Sequence, residues 1–260
     1  MPISPESPDT DDGSVDVHIV AGVATIRFGH PKSNSLPGVL LRTLASTIET
    51  IGERSDMRVI VLRSEGQGAF CAGASFDELS AIDDADVGKE FFLGFARVIL
   101  AMTGAPVPIV TAVQGKVVGG GVGLVAASDY VIAVEKASLK LSELAIGIGP
   151  FVVGPVIEHK IGPGPFGAMA LDADWRDAAW GERHGLYAQV VPDAAALDAA
   201  VAARAQALAA ANPAATRGIK QALWQGTGHW ADLLDERAAT SGALVLSDFT
   251  RAAIAKFKAS

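Results

Sequence analysis

The chain has 260 residues, of which 50% are hydrophobic, and its formal net charge is −8. This length supports one large domain or two small ones with a substantial core, and no apolar run reaches the ~18 residues of a membrane span. The negative charge disfavours nucleic acid as a partner, and the single cysteine, Cys71, excludes an internal disulfide and favours a reducing cytoplasm.

The first third of the chain predicts a tail, a pair of strands, a helix and a further strand. The stretch 1–13 is acidic and lacks an apolar core, which predicts a disordered tail and excludes a signal peptide. Alternating Val and Ile residues predict two strands within 15–28, and the helical spacing of Leu and Ile predicts a helix over 38–53. A buried strand is predicted over 57–65 and a mobile acidic loop over 79–90.

The middle of the chain continues this alternation, which is typical of an α/β fold with helical layers. The elements predicted here are a helix from Phe76, a helix over 91–102, strands over 107–113, 130–135 and 137–143, and a short helix over 121–128. Beyond residue 165 the pattern predicts helices alone, with a helix boundary at Asn212-Pro213. These alanine-rich helices are expected to pack on the core or against another subunit.

Two glycine-rich loops lie where predicted strands lead into helices, at GAFCAGAS (68–75) and GKVVGGGVG (115–123). Glycine lets a ligand approach the backbone, and the free amides at a helix N-terminus can donate to an anion. Two such amides are what an oxyanion hole requires. Tight packing alone would also favour glycines here. The pattern G-x-G-x-x-A over 121–126 also matches a dinucleotide-binding loop, and this alternative stays open although the following helix is short for that role.

Several segments match one family in order and spacing across about 15–195: HPKSNSL, GAFCAGASFDEL, VQGKVVGGGVGLVAASDYVIA, KLSELAIGIGP and ERHGLYAQVV. The chain thereby resembles the crotonase superfamily, the enoyl-CoA hydratase/isomerase family, and NPAATRGIKQAL extends the resemblance towards the C-terminus. The resemblance implies an α/β fold of the ClpP/crotonase-like class. Its superhelical spiral of ββα turns would cover 14–195, and a C-terminal helical region over 196–260 would form a homotrimer or a dimer of trimers.

The same resemblance implies an acyl-CoA thioester as the substrate, with CoA part of that substrate and no separate cofactor. Its carbonyl oxygen would lie against the amides of Ala74 and Gly120. Lys32 lies where the family approaches the nucleotide, and Lys256 and Lys258 would reach the ligand of a neighbouring subunit. The remaining implied CoA-binding positions are Ser33, Ala72 and Phe76. Ser75 stands where family members usually hold Asp, with Asp77 two residues later, so the resemblance does not extend to that adenine-side contact.

Family hydratases use two glutamates, and the corresponding positions in this chain are Gly123 and Glu143. Hydration uses two carboxyl groups to hold water, whereas moving a double bond needs one base that takes a proton from C2 and returns it at C4. The Pro-Phe segment after Glu143 also resembles the Δ3,Δ2-enoyl-CoA isomerases. The sequence therefore predicts Δ3→Δ2 isomerisation with Glu143 as the acid/base.

Other interpretations stay open at this point. Hydration could proceed with one Glu and a backbone group, other single-acid family reactions are decarboxylation and dehalogenation, and the chain could bind CoA esters without turnover. The candidates for a missing second acid are Glu78, Asp83, Asp84 and Glu90. The candidates for lining an acyl tunnel are Phe91, Phe92, Phe95, Phe151 and Trp175. Asp129 is predicted to be a structural cap and Cys71 a buried packing residue, and the histidines show no metal-ligand spacing.

Overall fold

The computed structural model describes residues 12–258, with side chains described as far as Lys256. Most of the predicted tail over 1–13 therefore lies outside the described residues, and so does the side chain of Lys258. Within the described range the chain is a mixed α/β structure with a mainly parallel sheet, which confirms the predicted fold class.

A six-stranded sheet forms the centre of the molecule, in the order β1-β2-β3-β4-β6-β9. Its strands, numbered along the chain, are β1 (Ser14–Val20), β2 (Val23–Gly29), β3 (Val59–Ser64), β4 (Ile109–Val113), β6 (Tyr130–Val134) and β9 (Gln189–Val191). β1 and β2 pair antiparallel through a two-residue turn with positive φ at Ala21 and Gly22, and every later pair is parallel. The parallel strands β3 and β4 are almost wholly buried, which explains their continuous Val and Ile runs.

A second, three-stranded sheet joins the two glycine loops. It consists of β5 (Val117–Val118), β7 (Ser138–Lys140) and β8 (Arg176–Asp177), in the order β5-β7-β8. An isolated parallel bridge between Cys71 and Val117 connects the first glycine loop to β5. This small sheet therefore holds the loops around Cys71 and Val117 side by side.

Eleven helices surround the sheets within residues 12–258. They are α1 (Gly38–Gly52), α2 (Phe76–Ala81), α3 (Ala85–Gly104), α4 (Gly120–Ala126), α5 (Gly154–Ile161), α6 (Pro163–Asp172), α7 (Ala178–Arg183), α8 (Ala194–Ala210), α9 (Pro213–Leu223), α10 (Trp230–Val245) and α11 (Asp248–Lys258). α3 packs between α1 and α10, and α8 packs on β3, β4 and β6. A 3-10 turn at Leu144–Ile146 follows Glu143 and contacts α11.

Two predictions about elements are wrong. The stretch 79–90 is not a loop, because α2 extends to Ala81 and the Asp84 carboxylate caps α3 by accepting the N–H of Asp86 and Val87 at 2.8 and 3.2 Å. The region beyond residue 165 is not purely helical, because β8 and β9 pair with the earlier strands β7 and β6. Both strands are too short to show a period in the sequence.

Asp129 is not a helix cap but a buried acceptor that links α9 to the main sheet. Its Oδ2 accepts from the Ile109 N–H and the Lys220 ammonium, each at 2.7 Å, and its Oδ1 accepts from the Trp224 indole N–H at 2.7 Å. A carboxylate just after a helix C-terminus opposes the helix dipole, so its stabilisation comes from these tertiary partners.

Across residues 12–258 no single helix has the length and apolarity to cross a membrane. The pair α8 and α9 passes that test only when taken together, and it is bent by 112° at the break.

Candidate active site

The second glycine loop places one backbone amide in the wall of a cavity. Gly119 has φ +52° and donates its N–H to the Lys140 carbonyl at 2.9 Å, which fixes the loop against β7. Gly120 begins α4, and a Cβ there would lie 2.1 Å from the Phe95 ring, so only glycine fits. The Gly120 N–H belongs to the first helical turn, which has no intrahelical acceptor.

The first glycine loop supplies a second amide. An isolated parallel β-bridge pairs Ala74 with Leu36. Its hydrogen bonds are made by the residues on either side of Ala74: the Leu36 N–H donates to the Gly73 carbonyl at 2.8 Å, and the Ser75 N–H donates to the Leu36 carbonyl at 3.2 Å. Neither the Ala74 amide nor the Gly120 amide has an acceptor within residues 12–258. Ser75 accepts the Glu78 N–H at 3.4 Å as the cap of α2. Two amides without an acceptor among the described residues therefore belong to neighbouring loops that line the same cavity.

These amides line a cavity of about 290 Å³ whose other walls are largely apolar. Its large apolar lining residues are Phe76, Leu79, Phe92, Phe95, Val118, Ile146, Ile148, Phe151, Val152, Val153 and Trp175. Four of the five aromatic residues predicted for an acyl tunnel are in this lining. The exception is Phe91, which packs edge-on against Phe92 and Phe95 in the core.

Glu143 is the carboxylate in the lining of this cavity. The residue as a whole is half-buried, but its Oε2 is inaccessible to solvent and has no hydrogen-bond partner within residues 12–258. Burial raises the pKa of the Glu143 carboxyl to about 7, and the backbone amides of Glu143 and Ser142 offset part of that shift. A carboxyl that titrates near neutral pH can both accept and return a proton.

The position of the absent second glutamate is filled. A Cβ on Gly123 would lie 2.6 Å from Cγ1 of Val153, so the valine occupies the space next to α4. None of the four candidate acids replaces it in the cavity lining. Glu78 accepts the N–H of Gly38 at 2.7 Å, and Glu90 forms an exposed ion pair with Arg97. The other two are exposed directly before α3: Asp83 and Asp84.

The structure brings together some of the predicted site residues and separates others. The cavity lining contains Ala72, Ala74, Phe76, Gly120 and Glu143. The remaining three lie outside it: Lys32, Ser33 and Lys256.

Each of those three has a defined position elsewhere. Lys32 pairs with Asp77 on the surface, and Lys256 is exposed on α11. Ser33 has φ +55° and lines a separate cavity of about 580 Å³ beside His30, while its carbonyl accepts the Ala72 N–H at 3.2 Å. Their predicted contacts with CoA stay predictions.

Cys71 is buried, as predicted. Its Sγ accepts the Gly73 N–H at 3.3 Å, and burial raises the pKa of the thiol to about 12. A thiol with so high a pKa is a poor nucleophile, so Cys71 supports the loop by packing.

Sequence reasoning missed three polar residues in the cavity lining: Lys140, Ser142 and Ser241. Lys140 and Ser142 are two positions apart along the β7 segment, so strand alternation could have placed them on the same side. Ser241 lies on α10, far along the chain, and no local pattern connects it with the glycine loops.

An apolar concave cavity with a few convergent polar groups defines a small-molecule site of the kind found in enzymes. The family model described as Enoyl-CoA hydratase/isomerase matches residues 18–242, most of the chain. The chain therefore belongs to the enoyl-CoA hydratase/isomerase family, within the crotonase superfamily.

Two curated relatives carry names that specify a reaction. The "(7aS)-7a-methyl-1,5-dioxo-2,3,5,6,7,7a-hexahydro-1H-indene-carboxyl-CoA hydrolase" of Rhodococcus jostii (strain RHA1) is 32% identical over 143 residues, 54% of this chain and 55% of that protein. The "Methylglutaconyl-CoA hydratase, mitochondrial" of Rattus norvegicus is 34% identical over 117 residues, 45% of this chain and 37% of that protein. The chain thus spans little more than half the length of the first of these relatives.

Solved structures extend the comparison to the whole fold. The crystal structure of an enoyl-CoA hydratase from Bacillus halodurans aligns with a TM-score of 0.86 over 93% of this chain and 99% of that chain. Their sequences are 19% identical, so this similarity establishes the fold alone. The predicted crotonase class of the α/β fold is confirmed.

Proposed function

We propose that this enzyme isomerises a Δ3-enoyl-CoA to the Δ2-enoyl-CoA through an enolate of the thioester, with Glu143 as the acid/base. The observation that carries the proposal is the single buried carboxyl in the cavity lining, with a pKa of about 7 and an unpartnered Oε2. The amides of Ala74 and Gly120 form the oxyanion hole. The substrate is an acyl-CoA, and its CoA is not a separate cofactor.

The proposed reaction moves one proton and one electron pair at each step. The Glu143 carboxylate removes a proton from C2, and the electron pair of that C–H bond delocalises onto the thioester oxygen. The two amides stabilise this developing oxyanion more than the ground-state carbonyl, which lowers the barrier. The oxyanion pair then re-forms the C1 carbonyl, the C1–C2 π pair forms the C2–C3 double bond, the C3–C4 π pair takes the proton from Glu143 at C4, and the carboxylate is regenerated.

The absence of a second acid favours this reaction over hydration. Val153 lines the cavity and occupies the space beside Gly123, so that position offers methyl groups and no second carboxyl to hold water. A lone carboxyl against an apolar wall can move a proton between two carbons of one substrate, because neither carbon needs a hydrogen bond from the protein.

Hydration is the second candidate, because a curated relative bears the name of a hydratase. In that reaction Glu143 and a backbone group would hold the water that adds to C3. The two candidates share the oxyanion hole and differ in whether water enters the cavity.

The remaining features of the proposal concern binding and assembly. We propose that Lys32 and Lys256 bind the phosphates of CoA, the second across a subunit interface, in a homotrimer or a dimer of trimers. We propose a cytoplasmic protein on the ground of its single cysteine, and the charge of −8 supports a small-molecule substrate rather than nucleic acid as its partner.

The test is to supply 3-hexenoyl-CoA and 2-hexenoyl-CoA separately and to follow the products by chromatography. We expect 2-hexenoyl-CoA from the first, and we expect Glu143→Gln to lower kcat/KM by about 10²–10⁴-fold. The matched control is Glu135→Gln, which removes an exposed carboxylate on the turn after β6 and should leave the rate unchanged. If 3-hydroxyhexanoyl-CoA forms from the second substrate and the first is not isomerised, the proposed isomerase activity is wrong and the enzyme is a hydratase.

A further inference from the structure

Lys140 is a cation in the lining of the cavity that contains Glu143. It is the last residue of β7, where it pairs with Val118, and its carbonyl accepts the N–H of Gly119. Since neighbouring strands are ~4.8 Å apart, its Cα lies one strand spacing from the loop that leads to Gly120. The proposed chemistry does not use this ammonium group.

A second lysine and an indole accompany Lys140. The Lys140 Nζ lies 5.9 Å from the ring centroid of Trp175, and the Lys116 Nζ lies 5.4 Å from the same centroid. The Trp175 residue is 47% exposed and also lines the cavity. Lys116, Lys140 and Trp175 are called the lysine–tryptophan cluster below.

The cluster has positive charge without a protein anion. Within residues 12–258 neither Lys116 nor Lys140 forms an ion pair. Two ammonium groups that approach one indole gain attraction from its face but repel each other. An anion beside the cluster would offset that repulsion and could accept a charge-assisted hydrogen bond from the lysine that lines the cavity.

We infer that the lysine–tryptophan cluster binds a carboxylate on the acyl group, so that the substrates are acyl-CoA thioesters with a second, terminal carboxylate. The inference rests on the proposed function, since it assigns an acyl group to the cavity of Glu143. Lys140 makes the direct contact, because it lines the cavity itself. Lys116 is exposed, so it adds a longer-range attraction.

The position of Lys140 favours a carboxylate of the acyl group over the phosphates of CoA. Lys140 is three residues before Glu143, its backbone is adjacent to the loop of Gly120, and all three residues line the same cavity that would hold the reacting part of the thioester. A long pantetheine arm separates the thioester sulfur from the nearest phosphate. A terminal carboxylate a few carbons from the thioester carbonyl would stay close to that carbonyl, as Lys140 does, whereas the phosphates would not. The rest of the cavity lining is largely apolar and contains no other cation.

The experiment measures binding of two saturated thioesters that cannot isomerise, by isothermal titration calorimetry. Glutaryl-CoA carries the carboxylate, and 5-methylhexanoyl-CoA carries an isopropyl group of similar shape in its place. We expect Lys140→Gln to weaken glutaryl-CoA binding about tenfold, the size of one charge-assisted hydrogen bond, and to leave 5-methylhexanoyl-CoA unchanged. Lys116→Gln should weaken glutaryl-CoA binding by a smaller factor and should also leave 5-methylhexanoyl-CoA binding unchanged. Lys136→Gln, which removes an exposed ammonium near β7, should change neither affinity.

The possible outcomes separate this inference from the proposed function. An equal loss of affinity for both ligands in Lys140→Gln would show that the lysine binds CoA itself, and no loss for either would show that it binds neither. Each result would overturn the inference while leaving the isomerase assay intact. Selective loss for glutaryl-CoA would support the inference even if no enoyl-CoA were isomerised, in which case the proposed reaction alone would fail.

Discussion

Glu143 opposes folding at neutral pH, because its carboxyl is buried and Oε2 lacks a hydrogen-bond partner within residues 12–258. The folded protein holds the proton up to about pH 7, whereas an unfolded glutamate has a pKa of about 4.5 and releases it near that pH. Between these two values the folded state binds more protons, so stability declines as pH rises through this window. A reactive carboxyl is thus kept at the expense of stability.

Glu143→Gln should therefore stabilise the protein at pH 8 while abolishing its proposed activity. The expected gain in the free energy of unfolding at pH 8 is on the order of 3 kcal/mol, because each unit of pKa shift corresponds to about 1.4 kcal/mol. Near pH 4 the side chain at this position is mostly neutral in the folded and the unfolded state of both proteins, so the two should be almost equally stable. Urea denaturation at the two pH values measures the difference.

The same carboxyl should govern the pH dependence of the wild-type enzyme, whose kcat/KM should fall below an apparent pKa near 7. The stability prediction would be contradicted if Glu143→Gln were less stable than the wild type at pH 8. That result would mean that the buried carboxylate has a stabilising partner in the folded protein.

The residues of the site differ in how far the sequence could identify them. The family motifs place Ala74, Gly120 and Glu143, because each lies at a fixed position in a local pattern. The contact of Val153 with Gly123 and the approach of Lys140 to Trp175 arise only when distant segments pack. Such contacts leave no periodicity or spacing in the sequence.

Asp129 holds three elements together at the scale of helices and strands. Its carboxylate joins the chain between α4 and β6 to the start of β4 and to α9. The side chains of Lys220 and Asp129 are 3% and 6% exposed, so this is a buried ion pair. The ammonium of Lys160 lies nearby, where it donates to the Ser128 carbonyl at 2.7 Å, and burial lowers the pKa of both lysines.

Asp129→Asn should destabilise the protein by roughly 3–5 kcal/mol, because it leaves the buried Lys220 ammonium without its counter-ion. Guanidinium denaturation at pH 7 measures the loss. The matched control is Asp198→Asn, which breaks the more exposed pair with Arg63 and should cost about 1 kcal/mol or less. The deficit of Asp129→Asn should shrink towards pH 10, because the folded protein can then hold Lys220 neutral. A loss as small as that of the control would mean that the amide replaces the carboxylate fully.

The sequence predicts elements well where their signal is local. The antiparallel pair β1 and β2 follows from alternation and from a tight turn, and α1 follows from its apolar stripe. The acidic composition over 79–90 concealed a helix start, since the Asp84 cap is a single side chain among several similar ones. The strands β8 and β9 exist through pairing with distant partners, which a local pattern cannot show.

The surface of the whole molecule has large apolar side chains on helices of the C-terminal third. Among the described residues the most exposed of them include Leu171 at 76%, Ile219 at 61%, Leu223 at 50% and Phe249 at 68%. Ile219 and Leu223 are four residues apart on α9 and therefore lie on one face of that helix. Exposed apolar side chains that share one helix face are typical of an interaction surface, so this face of α9 is a candidate contact for the homotrimer, which stays a prediction.

We expect sedimentation equilibrium to give a mass of about 80 kDa (3 × 26.7 kDa) or twice that value for the wild-type protein. The double variant Ile219→Glu/Leu223→Glu should dissociate at micromolar concentration, because each glutamate would have to be desolvated at the interface without a partner. Val20→Glu replaces an equally exposed apolar side chain on the β1–β2 hairpin and should keep the wild-type mass. A monomeric wild type, or a double variant that assembles normally, would exclude this face of α9 as the subunit contact. Circular dichroism must show the same helix content in all three proteins, so that a change in mass reports assembly and not unfolding.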